Sequence, residues 1–371
     1  MMDRLPVEPR ASLMKRRNKR MNNPINVALL GYGLAGKVFH APLIASVPGL
    51  RLHTVVSRDA GKVHADHPDV RVTADAAEAF ADPAVALVVI ATPNSLHAPQ
   101  ARAALAHGKH VVVDKPFALD TAEARSVMHA ATQAGRMLSV FHNRRWDADF
   151  LTVRRLLDDD ALGEIVEFRS HFDRYRPVVQ DRWREQDVPG SGLWFDLGPH
   201  LLDQALQLFG MPEAVYADIA IQREGARVDD CFEVRLRYPT RRVVLHAGAL
   251  VADPRLRFAL HGTRGSYLKH GLDTQEAQLR SDATPGTAGW GHDPLDGEKT
   301  TWTEGLPHRE TIETLPGDYR QYYLGIRDAL REGRPPPVTA GEALDVMRLL
   351  ELAVDSNRER REIPCPVTAS A

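Results

Sequence analysis

Cysteine is scarce in this chain: Cys231 and Cys365 are the only two in 371 residues. Two thiols cannot make a disulfide framework or a thiolate zinc site, and so few free thiols fit a reducing cytoplasm, where we expect the protein to work. Long apolar runs are also missing. The longest, Ala84–Ala91, is far short of the roughly 20 residues that a membrane-spanning helix needs. Charge of one sign is absent as well, with Lys+Arg 47 against Asp+Glu 49 and a net charge of -2. That balance offers no basic surface for nucleic acid or anionic lipid. Neither H-E-x-x-H nor paired cysteines occur, so no metal is expected despite 16 histidines. Residues 1–24 carry the run Lys15-Arg16-Arg17-Asn18-Lys19-Arg20 but no apolar core of a secretory signal. They read as a solvated, disordered basic extension, with Met21 as an alternative start.

What remains is ordinary for a globular protein, with 43% hydrophobic and 26% charged residues, and the length favours two domains. From Ile25 the pattern alternates. Apolar strand-like runs at Ile25–Leu30, Leu50–Ser57, Val70–Thr73, Ala86–Ala91, His110–Asp114 and Met137–Phe141 are separated by helical stretches at Lys37–Ser46, Asp75–Phe80, Ser95–His107 and Thr121–Gly135. That alternation predicts an α/β, doubly wound parallel sheet over residues 25–142. After Phe141 the texture changes. A helix at Trp146–Leu157 and a strand at Glu164–Asp173 lead into a polar loop, Arg174–Gly192. A helix from about His200 to Phe209 is followed by strands at Ala214–Gln222, Asp230–Tyr238, Val243–Leu250 and Arg255–His261 with no helices between them. These predict an α+β domain over residues 143–371 with a largely antiparallel or mixed open sheet, whose free face suits a homodimer or homotetramer. Asp282–Gly305 reads as an irregular loop, and helices at Tyr319–Glu332 and Gly341–Arg360 flank Pro335-Pro336-Pro337.

Gly31-Tyr32-Gly33-Leu34-Ala35-Gly36 matches G-x-G-x-x-G, a weak pattern alone. Here it follows a strand and opens a helix, the context in which it binds a dinucleotide. The first glycine permits the tight turn and the second lets backbone approach a pyrophosphate. The third allows close packing of helix on strand. About 20 residues on, a NAD enzyme usually presents Asp or Glu to the ribose 2′-hydroxyl. This chain has Ser57 and Arg58 there, with Lys62 one turn beyond. A hydroxyl and cations suit a 2′-phosphate, so NADP is expected, with NAD as the alternative.

Further motifs carry a family resemblance. One strand ends in Ala91-Thr92-Pro93-Asn94 with His97 close behind, and the next ends in Val113-Asp114-Lys115-Pro116. Asp196-Leu197-Gly198-Pro199-His200-Leu201-Leu202-Asp203 follows later. With the glycine turn, these blocks resemble the Gfo/Idh/MocA oxidoreductases from Ile25 to about Arg360. Phe141–Asp147, His171–Pro177 and Asp181–Gln186 look closest to the branch of NADP-dependent scyllo-inositol 2-dehydrogenases. Asp114 stands where the family's E-K-P motif most often has Glu, and the charge is kept. The resemblance implies cofactor contacts from Thr92, Pro93, Asn94, His97, Asp114 and Lys115. It also implies that Lys115 and His200 are catalytic with Asp196 beside them.

The residue chemistry agrees. Oxidising a secondary alcohol needs a base for the hydroxyl proton, and an imidazole titrates in the working range. An ammonium at a strand's carboxyl end can hold the hydroxyl and its developing charge. Which of Lys115 and His200 is the formal base stays open, with His200 preferred. A cis Lys115–Pro116 peptide is one geometry that would aim the lysine into the cleft. Asp203 is read as a supporting residue on the helix face. Arg144, Arg145, Trp146, Arg174, Tyr175 and Trp183 supply the planar donors and aromatic faces that bind polyols. Salt bridges between domains and core aromatics are the competing reading for each of them. The expected activity is hydride transfer between a cyclitol or sugar secondary alcohol, scyllo-inositol first, and a nicotinamide. Another polyol, or a catalytically silent NAD(P)-binding regulator on the same fold, is the alternative.

Overall fold

The computed structural model describes residues 23–366, so the basic run before them lies outside the described residues. The first sheet contains β1 (Ile25–Leu30), β2 (Leu50–Val56), β3 (Arg71–Thr73), β4 (Leu87–Ile90), β5 (His110–Val113) and β6 (Leu138–Val140). All its pairs are parallel, in the order β3-β2-β1-β4-β5-β6. Such strands are covered on both faces, which is why Leu87–Ile90 and Val111–Val113 are continuously apolar and fully buried. Neighbours β1 and β4 run on to opposite halves of the sheet. The crevice between their carboxyl ends is where a doubly wound fold binds its ligand.

The second sheet follows with β7 (Ile165–His171), β8 (Ala214–Ala220), β9 (Cys231–Arg237), β10 (Arg242–Gly248) and β11 (Leu256–Gly262). It is completed by β12 (Gly265–His270), β13 (Gly297–Thr303), β14 (Leu306–Ile312) and β15 (Ile363–Pro364). The order is β14-β13-β12-β11-β7-β10-β9-β8-β15, with β7 and β10 parallel and the remaining pairs antiparallel. Phe168 and Ser170 are buried on one face, whereas Glu167 and Arg169 alternate onto the other. The helices Gly192–Phe209 and Ala340–Glu359 lie along the covered side, where Trp194 Nε1 donates to the Leu350 carbonyl at 3.2 Å.

Two expectations need correction. The stretch Asp282–Gly305 is not wholly irregular, because β13 lies within it and pairs with β14. Its residues, Glu298-Lys299-Thr300-Thr301-Trp302-Thr303, lack the apolar alternation by which a strand is recognised. Glu304 and Gly305, with φ of 55° and 79°, make the two-residue turn that suits a hairpin's twist. The helix expected from His200 begins at Gly192 instead. Its opening N–H groups are satisfied from far along the chain. Leu193 donates to the Asp229 carbonyl at 2.9 Å and Trp194 to the Asp229 carboxylate at 2.6 Å. Pro199 therefore sits inside the helix rather than at its start, forgoing one backbone bond.

Three tyrosines at the start of the helix Arg320–Glu332 tie it to the first sheet and the segments flanking that sheet. Tyr319 donates to Asp147 at 2.7 Å, Tyr322 shares a 2.8 Å bond with Ser139, and Tyr323 lies 2.6 Å from His40 Nδ1. All three rings are fully buried.

Candidate active site

The glycine turn lies at the end of β1, and each glycine is required for a different reason. Gly31 has φ 91°, and a Cβ there would stand 2.6 Å from the Ala91 carbonyl oxygen. A Cβ on Gly36 would overlap the Gly31 carbonyl. Gly33 faces open space with nothing within 4 Å, which is the cradle a pyrophosphate would fill. The expected helix follows as a π-helical turn, Ala35–His40, continued by Ala41–Ser46. Leu34 is exposed beside the turn, whereas Tyr32 is buried. Tyr32 donates to Asp66 at 2.9 Å, and Lys37 pairs with the same carboxylate at 2.8 Å. Past β2, Ser57 Oγ accepts from the Asp59 N–H at 3.2 Å. Asp59 caps the next helix through the Lys62 N–H. The Arg58 and Lys62 side chains are exposed and have no acidic partner among the described residues. The glycine turn, with these groups beside it, fits the pyrophosphate and ribose end of a dinucleotide.

At the ends of β4 and β5, His97 is a buried strut. Its nitrogens lie 2.8 Å from the Pro116 carbonyl and 2.9 Å from the Thr92 carbonyl, so it ties the two loops together from beneath. The Thr92 hydroxyl donates to Gln100, and Asn94, after Pro93, donates to the Gly190 carbonyl, both at 2.8 Å. Asp114 accepts from the Lys115 N–H at 2.8 Å and faces His40 Nε2 at 3.8 Å. Burial pushes the Asp114 carboxyl upward, but His40 and Lys115 outweigh it and bring it down to about 2. The Lys115–Pro116 peptide is cis.

Lys115 Nζ donates to the Asp196 carbonyl at 2.7 Å and to its carboxylate at 3.1 Å. Burial opposes the charge on Asp196. Lys115, Arg184 and Arg174 overcome that and hold it well below the usual carboxylate range. His200 follows one turn later on the same helix face. It is buried, and its Nδ1 has no hydrogen-bond partner among the described residues. Burial first, then the cations Lys115 and Arg144, depress its pKa well below the ordinary 6.5. The ring is therefore neutral near pH 7 and able to accept a proton. A cavity of about 480 Å³ has Leu34 and Ala35 of the glycine turn, Lys115, Asp196 and His200 all on its wall. It can hold a reacting carbon between a cofactor, an ammonium and an imidazole.

Among the residues expected to bind substrate, Arg144 and Arg174 line this cavity. Arg145, Trp146, Tyr175 and Trp183 are not on its wall. Arg145 is buried against Asp203, with bonds of 2.7 and 2.9 Å, and reaches Glu342 at 2.9 Å. Trp146 packs edge-on to Tyr322, Tyr175 is exposed beside Leu250, and Trp183 lies under the Arg184 guanidinium. Arg176, Arg182 and Arg184 line the cavity instead, with Gln180, Glu276 and Arg280. The first three arginines fall inside the sequence blocks that carried the family resemblance. Glu276 and Arg280 lie on a short helix without any motif. Among the described residues one His/Asp group, His171, Asp173 and His246, has ligand atoms close together. Asp173 there accepts from the His246 ring at 2.7 Å and the Gly248 N–H at 3.0 Å.

Comparison with known proteins agrees with this geometry. Residues 25–142 match the family described as the oxidoreductase family, NAD-binding Rossmann fold. Residues 154–367 match its C-terminal alpha/beta domain. The chain is 50% identical to the uncharacterized oxidoreductase YdgJ of Escherichia coli, covering 92% of this chain and 98% of that protein. It is 39% identical to the NADP-dependent scyllo-inositol 2-dehydrogenase IolW of Bacillus subtilis, covering 94% and 98%. The solved structure of YPO2259 from Yersinia pestis superposes with a TM-score of 0.91 at 50% identity, covering 94% of this chain and 99% of that one. No helix among the described residues is long and apolar enough to cross a membrane.

Proposed function

Because the chain belongs to the Gfo/Idh/MocA oxidoreductase family, we propose that it interconverts a cyclitol or sugar secondary alcohol and its ketone with NADP. Scyllo-inositol and scyllo-inosose are the first candidates, on the likeness to IolW. The observation that carries the reading is Lys115 paired to Asp196 at 3.1 Å, with His200 on the wall of the same cavity as the glycine turn. Bound nicotinamide supplies the hydride acceptor or donor. Lys115 Nζ holds the substrate oxygen and stabilises its alkoxide character. Asp196 keeps that ammonium aimed through its carboxylate and backbone carbonyl. Neutral His200 takes the hydroxyl proton in the oxidative direction and returns it in the reductive one. Exposed Arg58 and Lys62 beside Ser57 favour the 2′-phosphate.

In this reading residues 25–142 hold the cofactor, and residues from 143 onward hold the substrate and mediate self-association into a homodimer or homotetramer. The protein works in the cytoplasm on a small polyol. The test is a screen of scyllo-inositol, myo-inositol and common sugars with NADP and NAD, following nicotinamide absorbance. Turnover faster with NADP supports the proposal. Tight cofactor binding without turnover of any polyol would instead mark a silent binding protein.

A further inference from the structure

The cavity beside Lys115, Asp196 and His200 carries a charge imbalance that a neutral polyol would leave standing. Seven lysine and arginine side chains line it against three carboxylates. Most of the cations are matched within the protein: Arg144 by Glu276 and Asp147, Arg182 by Glu185, and Arg280 by Glu276. Arg184 has only the edge of Asp196, at 3.5 Å. Arg174 and Arg176 have no carboxylate in ion-pairing range among the described residues, and their guanidinium groups donate no hydrogen bond to the protein there.

Arg174 is the sharper case. It packs on the Phe172 ring at 5.0 Å, with Arg144 4.6 Å from the same ring. Burial pulls its pKa down to about 10, because the attraction of Asp196 does not offset desolvation. Holding a guanidinium partly out of water without a partner is costly, which points to a partner that arrives with the ligand. The cofactor's phosphates do not fit that role. Their cradle is at Gly33, and their cations are Arg58 and Lys62. Arg174 lies within electrostatic reach of both Asp196 and His200, on the wall of the same cavity.

We propose that Arg174, flanked by Arg176 and Arg184, forms an oxyanion subsite, and that the preferred substrate is a polyol bearing a carboxylate or a phosphate. The planar guanidinium can grip either group with two parallel hydrogen bonds. The inference rests on the dehydrogenase reading above: it keeps that reaction and puts an anionic polyol ahead of the neutral cyclitol as its substrate.

The test uses pairs that differ by one anionic group, D-gluconate against D-glucitol and an inositol monophosphate against inositol. Each is titrated calorimetrically into the NADPH-loaded protein, in which an alcohol cannot be oxidised. The anionic member of one pair should bind about ten- to a hundredfold tighter. The pair that responds tells carboxylate from phosphate. Arg174→Gln should close the gap while the NADPH dissociation constant stays unchanged, and Arg174→Lys should keep part of it. Equal binding within both pairs overturns the proposal, as does failure of both anions to bind or a gap that survives in Arg174→Gln. Turnover distinguishes the two levels. Neutral polyols oxidised as efficiently as charged ones sink the subsite alone, whereas no turnover on any member sinks the dehydrogenase reading as well.

Discussion

In the proposed reaction Lys115 and His200 act on one oxygen and one proton, and the cofactor's phosphates dock elsewhere. Lys115→Ala or His200→Ala should leave NADPH binding intact and lower turnover by about 10²–10⁴. The double variant should lose less than the product of the singles, because the two serve a single step. Near-parent turnover in both singles would return these side chains to structural roles. The depressed pKa of His200 has its own signature. A base whose folded pKa lies well below 6.5 remains ready throughout the neutral range. The acid limb of kcat/KM for alcohol oxidation should therefore lie below pH 6.5, and a limb centred at or above that pH would contradict the assignment. Arg58→Asp should weaken NADP more than NAD by about 1–3 kcal/mol, read from the two dissociation constants. That the glycine turn, Lys115, Asp196 and His200 meet around one cavity was legible in the sequence, because each has a motif behind it. The anchoring of Arg145 was not, because Asp203 and Glu342 meet it only through the fold.

At the scale of elements, the helix Gly192–Phe209 links the candidate site to stability. Asp196 and His200 face the cavity, while Asp203 on the same helix holds Arg145 in a buried two-bond pair. Removing Asp203 takes away both buried bonds and leaves the more exposed Glu342 to offset the guanidinium. Asp203→Ala should thus destabilise the fold by about 3–5 kcal/mol, seen as a lower urea midpoint with unchanged slope. A variant as stable as the parent would show that the pair contributes little. The parallel strands were easy to read because burial on both faces makes them uniformly apolar. The early start of this helix was not, since its cap, Asp229, is supplied from the approach to β9. The β13–β14 hairpin escaped for the opposite reason. Its pairing is polar, as in Lys299 with Glu310, and leaves no apolar period to detect.

At the scale of the molecule, alternation of strand and helix followed by strands alone foretold two kinds of sheet. The order of the nine strands was not readable, because the parallel contact of β7 with β10 depends on pairings distant in sequence. The tyrosine pins between the first sheet and the helix Arg320–Glu332 give the assembled molecule an optical property. Burial raises the ionisation of Tyr319, Tyr322 and Tyr323 far above the ordinary 10.0. The folded chain keeps these phenols protonated where an unfolded chain would release them, so stability falls as pH rises past about 10. In an alkaline titration their phenolate absorbance should not rise gradually. It should appear in one step, together with the loss of near-ultraviolet circular dichroism, so that the colour change itself reports that helix coming away from the first sheet.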